Sequence, residues 1–246
     1  MAIGGLITLG GDEVHVWHAS LDADAERLQE LRRTLADDER ARAERFHFER
    51  DRARFVAGRG LLRAILARYL GADPAALRFA YGARGKPALA PGNAAPAVRF
   101  NFANSDGRAL CAVTLGRELG VDLERIRPES ATDAVAEDFF SRAEVATLRA
   151  LDAEHRTRAF FDCWTRKEAY IKARGDGLWL PLDRFEVSLA PGEPAALLAT
   201  HDDPAEAARW SLRELHPGPG YAAALAVEGH RWRLQCWQWP GGPGGS

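Results

Sequence analysis

Leu110-Cys111-Ala112-Val113-Thr114-Leu115-Gly116-Arg117-Glu118-Leu119-Gly120-Val121-Asp122-Leu123-Glu124 is the stretch that decides the fold. Residues 110–115 and 119–124 both read as strands, and Gly116 between them supplies a break. Upstream, a strand at 98–102 meets 110–115 through the turn residues Asn104-Ser105-Asp106-Gly107. Before it come a strand at 14–17, a helix at 23–35 with Leu28, Leu31 and Leu35 on one face, and a short helix from a cap at Asp37 toward Arg45. A longer helix, 50–70, buries Phe55, Leu62, Ile65, Leu66 and Tyr69, and Gly71 ends it. Asp73-Pro74 opens the next turn, and 82–97 is a Gly- and Pro-rich loop. Downstream, Arg127-Pro128 breaks the chain before helices at 131–140, 142–153 and 158–174. Strands follow at 185–189, 210–215, 221–227 and 232–237. Each half thus combines helices with antiparallel strands, an α+β pattern. The boundaries expected are an N-terminal lobe at 1–116, a C-terminal lobe at 117–239 and a flexible tail at 240–246. No internal repeat is strong enough to indicate duplication.

At 246 residues the chain is long enough for one large domain or two small ones, at about 150 residues each. Hydrophobic residues at 46 % and charged residues at 28 % exclude a disordered chain. Lys plus Arg at 33 against Asp plus Glu at 35 leaves a net charge of −2, which argues against a general polyanion-coating role. The N-terminus has no basic segment ahead of an apolar one, and no apolar run approaches a membrane span. Cys111, Cys163 and Cys236 are odd in number and far apart, as expected of reduced thiols in a cytoplasmic protein. Only three of the basic residues are lysine: Lys86, Lys167 and Lys172. In so Arg-rich a chain, a lysine that persists points to a need for a compact charge rather than a planar fork.

Asp122 and Glu124 are two apart in a strand, so their carboxylates leave one face. Such a pair either faces water near an edge or shares a cation, for which a hard divalent ion such as Mg²⁺ is suited. Trp164, Glu168 and Lys172 stand at i, i+4 and i+8 on one helical stripe. They read either as a core Trp with an exposed Glu–Lys pair or as a functional face. Gly85-Lys86-Pro87 lies in a Gly/Pro loop that is no Walker A motif, although Gly admits close backbone approach and Lys suits phosphate. Nine Arg against three acids between Arg40 and Arg68 fit a polyanionic small molecule, a solvated helix face or a nucleic-acid patch; the few aromatics there do not suggest base stacking. Patterns of zinc proteases, elbow-type serine hydrolases and dinucleotide enzymes are missing from the sequence. His15 and His18, three apart on a strand, point to opposite faces and read as structural.

Gly120-Val121-Asp122-Leu123-Glu124 followed by Trp164-Thr165-Arg166-Lys167-Glu168-Ala169-Tyr170-Ile171-Lys172 closely resembles the 4′-phosphopantetheinyl transferase superfamily. Arg84-Gly85-Lys86-Pro87 and Phe100-Asn101-Phe102-Ala103-Asn104-Ser105 are similar to two further motifs of that family, as are Gly175-Asp176-Gly177-Leu178 and Pro181-Leu182. The likeness covers residues 35–182, and the layout resembles the monomeric, surfactin-synthetase-activating type. The resemblance implies two α+β lobes packed pseudo-symmetrically with coenzyme A between them. It implies transfer of the 4′-phosphopantetheine arm of coenzyme A to a serine of an apo acyl or peptidyl carrier protein, in secondary-metabolite or fatty-acid synthesis, with 3′,5′-ADP leaving. Asp122, Glu124 and Glu168 would hold Mg²⁺, with Asp122 also counted in the catalytic set. Glu168 would accept the serine proton, and Lys172 would stabilise or protonate the departing oxygen. Lys86, with Arg42 and Arg54, would bind the 3′-phosphate, and Asn101, Asn104 and Ser105 would line the nucleotide site. The family commonly has His where Asn104 stands, which removes that contact from what the resemblance implies. Neither nucleic acid nor membrane is expected as a partner. A non-catalytic coenzyme A or carrier-binding module of the same fold would have a damaged acid set; here Asp122, Glu124, Glu168 and Lys172 are all present.

Overall fold

The computed structural model describes residues 5–82, 85–91, 97–175 and 180–239. The chain divides into two compact units, one running to Gly116 and regaining the chain from Arg233, the other spanning Arg117–Trp232. In the first unit, β1 (Glu13–Ser20) leads to α1 (Ala25–Thr34), whose first turn is capped by Asp24 accepting from the Arg27 N–H. The second helix, α2 (Asp37–Ala43), starts differently from the sequence expectation. Asp37 is its first residue rather than its cap, and the Glu39 carboxylate reaches back to the Ala36 N–H at 2.9 Å. Next comes α3 (Glu49–Leu70), which ends at Gly71 with φ 60°, a conformation that favours glycine.

The expected loop at 82–97 begins with structure: β2 (Phe79–Tyr81) and β3 (Pro87–Leu89) pair as a hairpin. Three-residue strands carry too little alternation to show in a sequence pattern. The strands β4 (Val98–Ser105) and β5 (Arg108–Leu115) also run further than expected, joined by only Asp106 and Gly107, both at positive φ. Asn104 and Ser105 are therefore strand residues, paired with Ala109 and Arg108, rather than part of the turn.

In the second unit, β6 (Leu119–Arg125) precedes α4 (Asp133–Phe139), α5 (Arg142–Ala150) and α6 (Ala153–Arg174). The last helix starts five residues earlier than expected, because Asp152 accepts from the His155 N–H and caps it there. Then follow β7 (Phe185–Val187), β8 (Leu197–Thr200), β9 (Trp210–Leu215) and β10 (Tyr221–Glu228). Antiparallel pairing gives a sheet of order β6-β10-β9, with β7 and β8 as a separate hairpin. The core packs α6 on this sheet, with Phe160, Tyr170, Phe185 and Trp210 buried between elements.

The final strand, β11 (Arg233–Gln238), departs from the expected C-terminal lobe. It joins the sheet of the first unit, parallel to β1, in the order β11-β1-β5-β4. That sheet is covered by α3 through Leu62, Ile65 and Leu66, and the α+β class stands, with antiparallel pairing among the described strands except at β1–β11. Residues 240–246, expected as a tail, lie outside the described residues, as do Arg84 and the expected motif positions Asp176, Gly177 and Leu178. No helix among the described residues is long and apolar enough to cross a membrane.

Candidate active site

Gly120, Asp122 and Glu124 alternate along β6 and so share a face. Opposite them on β10 are Ala226, Ala224 and Ala222. A face of glycine and alanine lets a helix lie close, and α6 does so at Gly120. A Cβ built on this glycine would stand 2.1 Å from the Ala169 carbonyl oxygen and 2.3 Å from the Ala173 nitrogen. No side chain fits there. The strand therefore meets the helix backbone at Ala169–Ala173, the turn that follows Glu168 and contains Lys172 near the end of α6.

The consequence is a charged cluster at the sheet–helix seam. Lys172 Nζ donates to Asp122 Oδ1 at 2.5 Å, while Oδ2 of the same carboxylate is buried with no hydrogen-bond partner among the described residues. Asp122 is only 3 % exposed, whereas the Lys172 side chain keeps 32 % of its surface. Burial pushes the Glu168 carboxyl above its ordinary value; the charges of Asp122 and Glu124 add to the rise and Lys172 opposes it. For Lys172, burial pulls the ammonium down, but Asp122, Glu168 and Glu124 outweigh it and the net shift is upward. All four residues thus lie within electrostatic reach of one another.

Trp164, on the same helical stripe, belongs to an aromatic cluster with Phe139, Phe140 and Phe160 at ring separations of 5.6, 6.2 and 6.2 Å. Its role is to anchor α6. Lys167 is fully buried and satisfied by protein oxygens: the carbonyls of Leu182 and Phe185 at 2.7 and 2.6 Å and Glu144 Oε2 at 2.8 Å. It ties α6 to α5 and to the start of β7.

The residues expected around phosphate are in the first unit and are more dispersed. Lys86, whose carbonyl accepts from the Gly82 N–H at 3.1 Å, is half-buried just before β3. Arg42 is exposed, its guanidinium 5.3 Å from the Phe55 ring centre. Arg54 is held by Asp22 at 2.9 Å and Asp106 at 3.2 Å, so its fork is already engaged by two carboxylates. Asn101 is buried and Asn104 exposed on β4; three apart on a strand, they leave opposite faces. Ser105 shares the face of Asn101. The Arg-rich segment is likewise tied down: Arg59 and Arg63 clamp the buried Glu39, and Arg40 and Arg52 pair with Asp37 and Glu49. Sequence reading missed Gly120 as the contact that sets the seam, and Glu39 as the hub of α2 and α3. The excess of Arg over acid within 40–68 hid Glu39, whose position just before that run was the available signal.

Among the described residues no three His, Cys, Asp or Glu side chains form a ready-made metal cage. The chemistry of the donors nonetheless fits a divalent cation. Asp122 has a buried oxygen without a partner among the described residues, and Glu168 is disfavoured as an anion by burial and by two neighbouring carboxylates.

Comparison with known proteins places these residues in a family. Residues 118–226 match the family model for the 4′-phosphopantetheinyl transferase superfamily, and residues 17–115 match the model for the N-terminal part of 4′-phosphopantetheinyl transferase. The chain is 45 % identical over 233 residues to the 4′-phosphopantetheinyl transferase HetI of Nostoc sp. strain PCC 7120, covering 95 % of each chain. It is 33 % identical to the 4′-phosphopantetheinyl transferase Sfp of Bacillus subtilis strain 168, over 78 % of this chain and 82 % of that one. This chain belongs to the 4′-phosphopantetheinyl transferase superfamily. It is an enzyme of that class.

Proposed function

We propose that the Asp122–Glu168–Lys172 cluster transfers the 4′-phosphopantetheine arm of coenzyme A to a serine hydroxyl of an apo acyl or peptidyl carrier protein. The serine oxygen forms a bond to the phosphorus that bears the pantetheine arm. The bond from that phosphorus to the bridging oxygen breaks, and 3′,5′-ADP leaves. Asp122, Glu124 and Glu168 would hold Mg²⁺, which, when bound, would neutralise charge on the pyrophosphate.

The protein's own groups perform the proton transfers. Glu168 accepts the serine proton, and a carboxylate with raised proton affinity is a stronger base for that step. Lys172, one helical turn on, stabilises or protonates the departing oxygen; its raised proton affinity keeps it an ammonium, which favours stabilisation of the developing charge. Lys86, with Arg42 at the surface, recognises the 3′-phosphate, and Asn101 and Ser105 border the nucleotide. Arg54 is better read as a strut holding Asp22 and Asp106. Three free cysteines suit a reducing compartment, and a cytoplasmic setting is the corresponding reading.

The observation that carries the proposal is the convergence of Lys172 and three carboxylates at the one point where Gly120 brings helix and strand together. Intact mass of a panel of apo-carriers after incubation with enzyme, coenzyme A and Mg²⁺ tests it. The expected result is a gain of one phosphopantetheine on a carrier serine, lost with Glu168→Gln. Unmodified carriers throughout, with folded enzyme, would overturn it.

A further inference from the structure

The carboxylate of Asp122 is shared unequally. One oxygen receives the Lys172 ammonium at 2.5 Å; the other is buried and receives no hydrogen bond from the described residues. Asp122 comes from the middle of a paired strand, and at 3 % exposure it cannot swing out to exchange partners in water. Lys172 can move. Its stem is flexible and a third of its side chain reaches solvent, unlike Lys167 five residues earlier, which is sealed among three oxygens. A divalent cation drawn to Asp122, Glu124 and Glu168 would therefore meet an ammonium already bound to its most buried ligand. Two cations on one buried carboxylate repel strongly, because solvent and salt screen them little.

We propose that Lys172 and the divalent cation compete for Asp122. Cation loading drives the ammonium off Oδ1, and the released lysine is then available to the departing oxygen of the substrate. The lysine is in this way held back until the cation is in place. The exchange concerns the chain's own residues; only the use of the released lysine rests on the transfer reading above.

The exchange makes a counterintuitive prediction: removing Lys172 strengthens cation binding while it abolishes transfer. Mn²⁺ serves as the probe, its free fraction read by electron paramagnetic resonance on the full chain without coenzyme A or carrier. Lys172→Met is expected to bind Mn²⁺ at least about tenfold more tightly than wild type, equivalent to about 1.4 kcal/mol. A second measurement separates exchange from a simple change in net charge. With ¹³C-lysine the chain should give three Cε signals, one each for Lys86, Lys167 and Lys172. Saturating Mg²⁺ should shift and narrow the Lys172 signal, as a side chain released from its partner does, and leave Lys167 unmoved. Equal or weaker Mn²⁺ binding by Lys172→Met, or a Lys172 signal that stays broad as Mg²⁺ binds, overturns the exchange. If either occurs while wild type still modifies an apo-carrier, the transfer reading survives and the exchange alone fails. Failure of every variant to bind Mn²⁺ removes the cation site and the exchange together.

Discussion

At the scale of single residues, the three lysines show how far one charge differs from another. Lys167 spends all three ammonium hydrogens on protein: Glu144 Oε2 and the carbonyls of Leu182 and Phe185. Glu144 in turn accepts from the Ser141 and Val187 N–H groups, so the pair closes a buried network. Removing one partner of a buried ion pair strands the other, at about 3–5 kcal/mol. Lys167→Met should therefore lose that much unfolding free energy in urea, and Mg²⁺ should restore none of it. Lys172→Met strands the buried Asp122 and should lose stability too, but there saturating Mg²⁺ should recover the loss by taking the place of the ammonium. Equal recovery in both variants, or recovery in neither, would contradict the assignment of one as anchor and the other as mobile. Lys86 is the third case. If it recognises the 3′-phosphate, Lys86→Ala should raise KM for coenzyme A by roughly 10- to 150-fold, the worth of a charge-assisted hydrogen bond of about 1.5–3 kcal/mol. KM for dephospho-coenzyme A should barely move, and steady-state kinetics with the two donors decides the matter. Lysine scarcity marked all three positions alike in the sequence. It could not separate them, because composition does not record which oxygens stand within 3 Å of a nitrogen.

Elements explain how the cluster is assembled, and here Gly120 has the largest effect. The helix backbone fills the space a side chain would need, and β10 contributes only alanines beside it. Gly120→Ala forces α6 and β6 apart. Overpacking of this kind costs about 1–3 kcal/mol of stability. The separation also lengthens the reach from Lys172 to Asp122, so transfer per folded molecule should fall more than tenfold, a larger loss than the folded fraction explains. Turnover normalised to the folded fraction from urea curves tests this; normalised turnover equal to wild type would make Gly120 a packing residue only. The periodic elements were legible from sequence: α3, β6 and β10 lie where alternation or helical spacing placed them, and so do the C-terminal parts of α6 and β5. The misses have local causes. β2, β3 and β8 are three or four residues long, and α6 begins early because the Asp152 cap outweighs the polar, aperiodic stretch that follows it. The acids and Lys172 were legible because strand and helix periods align each set on one face. Which residues share a β4 face was obscured by reading Asn104 and Ser105 as turn.

Across the whole molecule, the chain ends where no local pattern could place it. Residues 233–238 announce a strand but not its partner, and the partner is β1, more than two hundred residues earlier. The pairing brings Trp237 onto Trp17 at 5.3 Å and onto His15 at 5.6 Å, with Trp239 edge-on to Trp17 at 5.6 Å. His15 is buried beneath this aromatic cluster, its Nδ1 2.9 Å from the Tyr69 hydroxyl. Burial drives its proton affinity down, only partly offset by Glu13 at 3.6 Å. His18, on the opposite face of β1, is lowered by burial and by the charge of Arg108. Both histidines thus take up protons more readily unfolded than folded. Above about pH 7.5 neither state binds those protons and the two residues contribute no pH dependence. As pH falls through the ordinary histidine value near 6.5, the unfolded chain gains protons that the folded chain refuses, and stability declines until the folded values are reached. Two such groups set a limiting slope of about 2.7 kcal/mol per pH unit. Urea unfolding followed by tryptophan fluorescence from pH 5 to 7.5 should show the decline. His15→Asn with His18→Gln should flatten it relative to wild type at every pH below 6.5. Because Trp17 and Trp237 sit on the strands that carry and cover these histidines, the same fluorescence reports the loss directly. An unchanged slope in the double variant would move the acid sensitivity out of the β1–β11 pairing and into the carboxylates elsewhere.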